Sequence, residues 1–394
     1  MREELKKQVQ ACIDNCAGEL TDLADTIWKN PEYNFHEYKA CRAVTALLER
    51  RGFVVERGTG GIETAFHASY DSGKPGPHIA FLAEYDAVPG MGHACGHNLM
   101  AAMSAGAGIA VKSVLPRLKG RISVFGTPAE EGGGGKVIML NNGAFEGVDA
   151  AMIIHSANET VVNDISYSRT DLIVDFYGRR AHAATWPEEG ISALDPLLHL
   201  FQYINQMRLR WNGQGTILGI ISEGGEDAIQ IPDHCQGKFT VRSFNMKFKK
   251  QILAQFLDAC EAAAKMTGAS WKWQEDGYTY EDIRNNPVIE QVLAEQFAAL
   301  GQQVMPRRKE LGIGCTDVGN LTHAFPALQS YVQVVPLLRG HTKEFEDACN
   351  SEAGHRAALT GAKAMAMTAV ELLMDDKLME QANQAFCHMK KQYE

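Results

Sequence analysis

Within five residues, the stretch Met91-Gly92-His93-Ala94-Cys95-Gly96-His97-Asn98 sets two imidazoles and a thiol. A thiolate and a neutral imidazole are good donors for zinc or a similar divalent ion. Gly96 permits the tight backbone path through which Cys95 and His97 can converge on one point. Just upstream, Glu84-Tyr85-Asp86 closes the apolar run His78-Ile79-Ala80-Phe81-Leu82-Ala83. A buried strand that ends in acids, followed by a donor-bearing loop, predicts a metal site at the carboxyl edge of a sheet. The alternative is a loop that happens to hold two histidines and a cysteine.

Glu130-Glu131 stands between the apolar segment Arg121–Phe125 and four consecutive glycines. Neighbouring side chains on extended backbone point different ways, so one carboxylate can hold a metal while the other faces a metal-activated water. Metal-assisted hydrolysis needs that pairing of Lewis acid and base. A Glu pair is ordinarily solvated surface; the preceding strand, the glycine run and the Cys95/His97 loop argue for chemistry here. His155 ends the apolar run Ala150–Ile154, and His341 lies in Arg339-Gly340-His341-Thr342 ahead of a long helix. His182 follows Gly178-Arg179-Arg180-Ala181. Each of these three has a bland reading by itself, as a satisfied core histidine or a helix-start residue.

These groups need a scaffold, and the periodicity supplies one. Leu5, Val9, Ile13, Leu20, Leu23 and Ile27 fall at helical spacing over residues 2–28, and a second helix is predicted over His36–Arg50. Strands are predicted at Phe53–Glu56, Thr64–Ser69, His78–Ala83, Arg121–Phe125 and Ala150–Ile154, with a small-residue helix over Asn98–Leu115 and a short one over Lys136–Asn142. Three strands thus end in Glu84/Asp86, Glu130/Glu131 and His155, which predicts an α/β sheet with a site outside its carboxyl edge. The texture then changes. Strand Leu172–Tyr177, helix Ser192–Leu209, strands Thr216–Ser222 and Gly237–Arg242, helix Phe248–Thr267 and strand Ser270–Gln274 make a split βαβ order. We expect an inserted unit at 168–282 within a discontinuous catalytic domain, 1–167 and 283–394. The α/β pattern resumes with helix Pro287–Leu300, strand Gln329–Val334, helix Glu344–Met374 and a polar terminal helix. The expected fold class is a three-layer α/β unit around a mixed sheet, plus an α+β ferredoxin-like lid.

The 394 residues carry a formal charge of −10, with 45% hydrophobic and 22% charged residues, ordinary for a soluble globular protein. No basic block accompanies this charge, which argues against nucleic-acid binding. The charged amino terminus lacks the apolar core of a signal peptide. The weakly polar run around Leu99–Val111 is expected to be too short for a bilayer and broken by Ser104, Gly106 and Gly108. Nine scattered cysteines, an odd number, predict reduced thiols in a cytoplasmic protein, with Cys12, Cys16, Cys41, Cys260, Cys349 and Cys387 in structural roles.

The ordered set Glu-Tyr-Asp, His-Ala-Cys-Gly-His-Asn, Pro-Ala-Glu-Glu-Gly, strand-His, Gly-x-x-Ala-His-Ala and late His-Thr-x-Glu-Phe resembles one family of metallopeptidases and amidohydrolases. That family includes aminoacylases, glutamate carboxypeptidases and p-aminobenzoyl-glutamate hydrolases. The cysteine in the metal loop is similar to the amidohydrolase branch, with its aminoacylase-like dipeptidases. The likeness runs from Asn30-Pro31-Glu32 to Ser351-Glu352-Ala353-Gly354-His355. It implies two divalent ions per chain (zinc or manganese, with cobalt or nickel as alternatives), held by Cys95, His97, Glu131, His155 and His341, with Cys95 as the bridging ligand. It further implies Glu130 as general base, Asp86 as the residue orienting a ligand, and His182 as an oxyanion donor reaching the partner's site in a homodimer formed by the inserted unit. Arg242 resembles the position that meets a substrate carboxylate, against the alternative of a solvated strand-end charge.

One departure stands out: relatives usually carry Asn where this chain has Ile229, three residues before Pro232, with Gln230 as a shifted substitute. Cys315 likewise stands where relatives often have Ser, and reads as packing. The expected activity is metal-dependent hydrolysis of an amide bond in a small N-acyl amino acid, aminobenzoyl-glutamate-type conjugate or dipeptide with a free carboxylate. The alternatives are a hydrolase using Cys95 as nucleophile, activated by His97, and a non-catalytic ligand-binding relative. No nucleic-acid or membrane partner is expected.

Overall fold

In the computed structural model, which describes residues 1–306 and 313–393, alternate residues of the segment His78–Ala83 feed two different cores. Ile79, Phe81 and Ala83 join one, Ala80 and Leu82 the other. All six residues are buried, as in a strand covered on both faces.

In chain order the strands are β1 (Val54–Arg57), β2 (Phe66–Asp71), β3 (His78–Ala83), β4 (Arg121–Gly126), β5 (Ala150–Ala157) and β6 (Ser168–Tyr177). They continue as β7 (Ala181–His182), β8 (Gly215–Glu223), β9 (Gln230–Ile231), β10 (His234–Ser243), β11 (Ser270–Glu275) and β12 (Ala327–Gln333). The main sheet has the order β1-β2-β4-β3-β5-β12. Its strands β4, β3, β5 and β12 run parallel, while β2 pairs antiparallel with both β4 and the edge strand β1. One face packs on helices Arg2–Asn15, Ala17–Trp28, Tyr38–Arg50, His97–Val114 and Glu352–Met374; the other packs on Gly135–Asn141 and Val318–Ala324. This is the expected three-layer α/β arrangement around a mixed sheet.

The chain divides into two compact units, Met1–Ile165 with Ile283–Gln392, and Ser166–Asp282. The second has an antiparallel sheet of order β11-β6-β10-β8, with β7 and β9 paired as a short ribbon. Helices Leu194–Trp211 and Met246–Thr267 bury Leu197, Leu200, Ile252 and Phe256 against Leu172, Phe176 and Phe239 of that sheet.

Four expectations are corrected. The first helix is two helices, interrupted at Cys16 (φ −108°, ψ 13°); its apolar period runs through the break, so periodicity alone misses it. The long carboxyl-terminal helix is likewise Lys343–Ala348 and Glu352–Met374, each started by a side-chain cap, Thr342 accepting from Phe345 N and Ser351 from Gly354 N. Finally, His97–Arg117 and Glu352–Met374 are both long and apolar enough to cross a membrane by length and composition, with 83% and 78% of their apolar stretches buried in the fold. Ser104, Gly106 and Gly108 do not break the first of these helices. Ser104 donates to Leu82 O at 2.5 Å, and a Cβ at Gly108 would lie 2.5 Å from Val124 Cγ2, so the small residues let helix and sheet approach closely. Among the cysteines expected to be structural, Cys387 is exposed and packs in no core.

Candidate metal centre

Gly96 takes φ +78° as the residue that starts helix His97–Val114, and a Cβ there would lie 2.6 Å from Ser156 Cβ. Glycine is therefore required for the turn that brings Cys95 and His97 toward β5. Cys95 Sγ lies 3.3 Å from Nε2 of His155 on β5, and the His97 and His155 rings meet edge-on at 5.5 Å. His155 Nδ1 bonds Ser156 O at 2.7 Å, which leaves Nε2 to face the thiol.

Beyond β4 the backbone is strained at Ala129 (φ +58°), the residue just before Glu130-Glu131. The turn is closed by Gly133 N and Gly134 N, both donating to Ala129 O at 2.9 Å. Gly135 has no room for a side chain: a Cβ would meet Pro128 O at 1.9 Å. This glycine-bounded turn presents Glu131 Oε1 at 3.5 Å from His341 Nε2 and 4.0 Å from His97 Nε2. His341 itself sits at φ +59°, with its N–H donating to Ala94 O at 2.8 Å. Left-handed backbone at two non-glycine residues of one small site is strain of the kind that clusters where function requires it.

Asp86 ties these parts together. Its Oδ1 is 3.0 Å from His97 Nδ1, and its Oδ2 accepts from Glu131 N at 2.9 Å. The Asp86 carbonyl oxygen is also 3.0 Å from His97 Nδ1. His97 Nε2 is then the nitrogen left for a ligand. Among the described residues, His97 Nε2 and Glu131 Oε1 are buried with no hydrogen-bond partner.

Donor atoms of Cys95, His97 and His155 lie within 4.8 Å of one another, as do those of Cys95, Glu131 and His341, and those of His97, Glu130 and Glu131. Bond lengths of ~2.0–2.3 Å in tetrahedral geometry require ligand–ligand edges of roughly 3.3–3.8 Å, the range in which the closer pairs fall. The donor set, with its orphaned nitrogen and oxygen, therefore fits metal ions.

The electrostatics separate the two adjacent glutamates. Burial alone would raise Glu131, but the close approach of His341 and the charges of His97 and His341 overcome it and bring Glu131 down to about 2. Burial, joined by the charges of Glu84, Glu131 and Asp317, pushes Glu130 well above the usual carboxylate range. Glu131 keeps its charge, while Glu130 binds a proton more tightly than an ordinary carboxylate does. Burial would lower His97, but Asp86 and Cys95 raise it well above the ordinary imidazole value; burial, with the His97 charge, takes His155 down to about 4.

The first unit thus gathers Asp86, Cys95, His97, Glu130, Glu131, His155 and His341. His93, the second imidazole of the opening stretch, is not among them: its Nε2 bonds Ile27 O at 3.1 Å and burial brings it down to about 3. Sequence reasoning passed over the chain of charges behind this cluster. Lys136 is fully buried, with Nζ 2.6 Å from Glu84 Oε1 and 2.7 Å from Asp317 Oδ1. The available signal was a lysine directly after a glycine run, where a charge entering the core needs carboxylate partners.

His182 and Arg242 belong to the second unit. His182 is exposed on β7, and its Nδ1 accepts from Ala184 N and Thr185 N at 3.2 Å and faces Thr185 Oγ1 at 3.0 Å. A ring nitrogen that accepts from backbone N–H groups carries no proton, so the N–H is on Nε2. Arg242 lies on β10 between Arg169 and Thr216. Its Nε is buried without a hydrogen-bond partner among the described residues. At the departure, Ile229 O accepts from Ala183 N at 2.9 Å, and Gln230 is the residue paired with His182.

The sequence profile described as Peptidase family M20/M25/M40 matches residues 80–374. Xaa-Arg dipeptidase of Homo sapiens is 30% identical over 403 residues, covering 98% of this chain and 92% of that protein. A p-aminobenzoyl-glutamate hydrolase chain of Escherichia coli (strain K12) is 27% identical over 460 residues, covering 97% of this chain and 95% of that one. A solved dinuclear metal-binding peptidase of Bacillus subtilis shares the fold, with a TM-score of 0.71 at 19% identity, covering 91% of this chain and 99% of that one. The family profile spans the segment that holds the Cys95–His341 cluster, and the relatives match nearly the full chain: this chain belongs to Peptidase family M20/M25/M40 and is a metal-dependent hydrolase of peptide or amide bonds.

Proposed function

We propose that the chain cleaves the amide bond of a small N-acyl amino acid, an aminobenzoyl-glutamate-type conjugate or a dipeptide bearing a free carboxylate. Two divalent ions would be held by Cys95, His97, Glu131, His155 and His341. The observation that carries this reading is the overlap of donor groups: Cys95 is common to Cys95/His97/His155 and Cys95/Glu131/His341, which supports two neighbouring ions. Bound there, zinc or manganese, or alternatively cobalt or nickel, supplies Lewis acidity that polarises the amide carbonyl and acidifies water.

The chain's own groups do the rest. Glu130, buried and surrounded by negative charge, takes a proton from the attacking water and passes it to the departing amine nitrogen. Asp86 holds His97 in the tautomer that keeps Nε2 available. His182, with its proton fixed on Nε2, donates to the developing oxyanion, and Arg242 meets the substrate carboxylate. In our reading His182 serves the partner copy of a homodimer. The edge strand β8 supports that dimer, with exposed Leu218, Ile220 and Ile221 along its length; an unpaired edge of this kind invites strand pairing. A cysteine ligand must stay reduced, which favours the cytoplasm.

Metal content by plasma mass spectrometry, on protein purified without added metal, is the first test. We expect about two ions per chain, falling sharply in Cys95→Ala, with chelator-sensitive hydrolysis on a panel of acyl-amino acids and dipeptides. Turnover that survives chelation, with a trapped thioester at Cys95, would replace this mechanism by a thiol nucleophile. Failure to bind zinc or manganese even when added would remove it altogether.

A further inference from the structure

Lys136 is the largest charged side chain sealed inside the first unit, with none of its surface exposed. Its ammonium lies between Glu84 and Asp317, and its backbone N–H donates to Asp317 Oδ2 at 2.9 Å. Asp317 thus grips Lys136 at two points, and Lys136 cannot turn away from Glu84. Three buried charges of this kind are costly to desolvate, and apolar residues of similar volume often serve stability as well. Stability alone does not account for them.

The direction of Glu84 supplies a reason. Lys136 engages Oε1, while Oε2 lies 3.3 Å from His97 Nε2. Asp86 occupies the other nitrogen of that ring, so Nε2 is the metal-facing atom. Both Glu84 Oε2 and His97 Nε2 are buried without a hydrogen-bond partner among the described residues. Two polar atoms held this close in a dry interior need a positive charge between or beside them: a proton on His97 in the metal-free chain, or a metal cation that displaces that proton.

Building on the metal reading above, we infer that Glu84 is a further carboxylate of the metal centre, set beside His97, and that Lys136, clamped by Asp317, is the positioning residue that aims it. By taking one oxygen, Lys136 leaves the other directed at the ion. The carboxylate adds negative charge where the two cations sit, and the buried ammonium keeps it from swinging.

Glu84→Gln tests this with little change of shape, since the amide oxygen can still accept from Lys136. The readouts are metal affinity by chelator competition and the visible absorption of the cobalt-substituted protein. We expect affinity for one ion to fall ~10–100-fold and the cobalt bands to change, while the circular dichroism of the metal-free protein stays the same. Glu84→Asp keeps the charge on a shorter arm, and should recover part of the affinity; it is also the variant to measure if E84Q does not fold. A wild type that binds two ions beside a folded E84Q of unchanged affinity and spectrum overturns this inference alone. A wild type that binds none overturns the metal reading with it.

Discussion

Among the described residues each unit buries one lysine, and the two are treated in opposite ways. Lys136 of the first unit is 0% exposed and Lys249 of the second 2% exposed. Burial works against both ammonium groups. At Lys136 the carboxylates of Asp317 and Glu84 overcome it and hold the group above the ordinary lysine value. At Lys249 the direct partner is the Thr170 hydroxyl, and burial wins, bringing the group down to about 8 despite the more distant Glu275 and Glu281. The charge behind the candidate metal centre is given two carboxylates. The charge packed against the second unit's sheet is given a hydroxyl, and remains only partly compensated.

The sharpest way to break this contrast is to remove the first lysine. Lys136→Met leaves Glu84 and Asp317 buried without a cation, which costs ~3–5 kcal/mol for loss of one partner in a buried ionic cluster. We expect a large drop in the thermal midpoint of the metal-free protein, followed by scanning calorimetry. A midpoint within a degree of wild type would show that the ammonium is not a structural necessity where it lies.

The histidines repeat the pattern. His97 is sealed and its tautomer is set by Asp86; His182 is exposed and its tautomer is set by its own loop. His182→Ala should therefore leave metal content and folding alone, and cut turnover by ~100–1,000-fold, the loss typical of one oxyanion donor. Mixing it with Glu130→Ala should restore part of the activity through hybrid dimers, measured as turnover against mixing ratio. No recovery would count against a histidine acting across the dimer.

How much of this was legible in the chain depended on distance along it. Strands β3, β4 and β5 run as continuous apolar segments, so their ends, and the donors placed there, could be read directly. The mixed α/β class followed from the same segments. The helix breaks at Cys16 and near Ser351 were hidden because the apolar period passes through them, and only the local caps and dihedral angles reveal them. The Glu84–Lys136–Asp317 chain was hidden for a different reason. Its members come from the end of β3, the start of helix Gly135–Asn141 and the residue before helix Val318–Ala324. Glu84 could be read as a strand-end acid, while nothing in the local sequence singles out Asp317. Their partnership exists only once the sheet has brought three distant segments to one edge.

The mildest effect belongs to the second lysine. The ordinary lysine value is 10.5 and the folded value about 8, so between these limits the folded chain has released a proton that the unfolded chain still holds. Stability then rises with pH across that window, because the unfolded state binds more protons. Below pH 8 both states are charged, and burial costs the folded state its full amount. Each pKa unit is worth ~1.4 kcal/mol, which caps the gain at a few kcal/mol, and water or local relaxation reduces it. Lys249→Met should flatten this slope and raise stability at neutral pH, the reverse of Lys136→Met. Tryptophan fluorescence during urea unfolding is a suitable measurement, since Trp186, Trp211, Trp271 and Trp273 all lie in the second unit and only Trp28 in the first. A variant that keeps the wild-type slope would place the titrating group elsewhere in that unit. One that loses stability at neutral pH would mean that the Thr170 bond compensates the ammonium after all, and that the two lysines are alike.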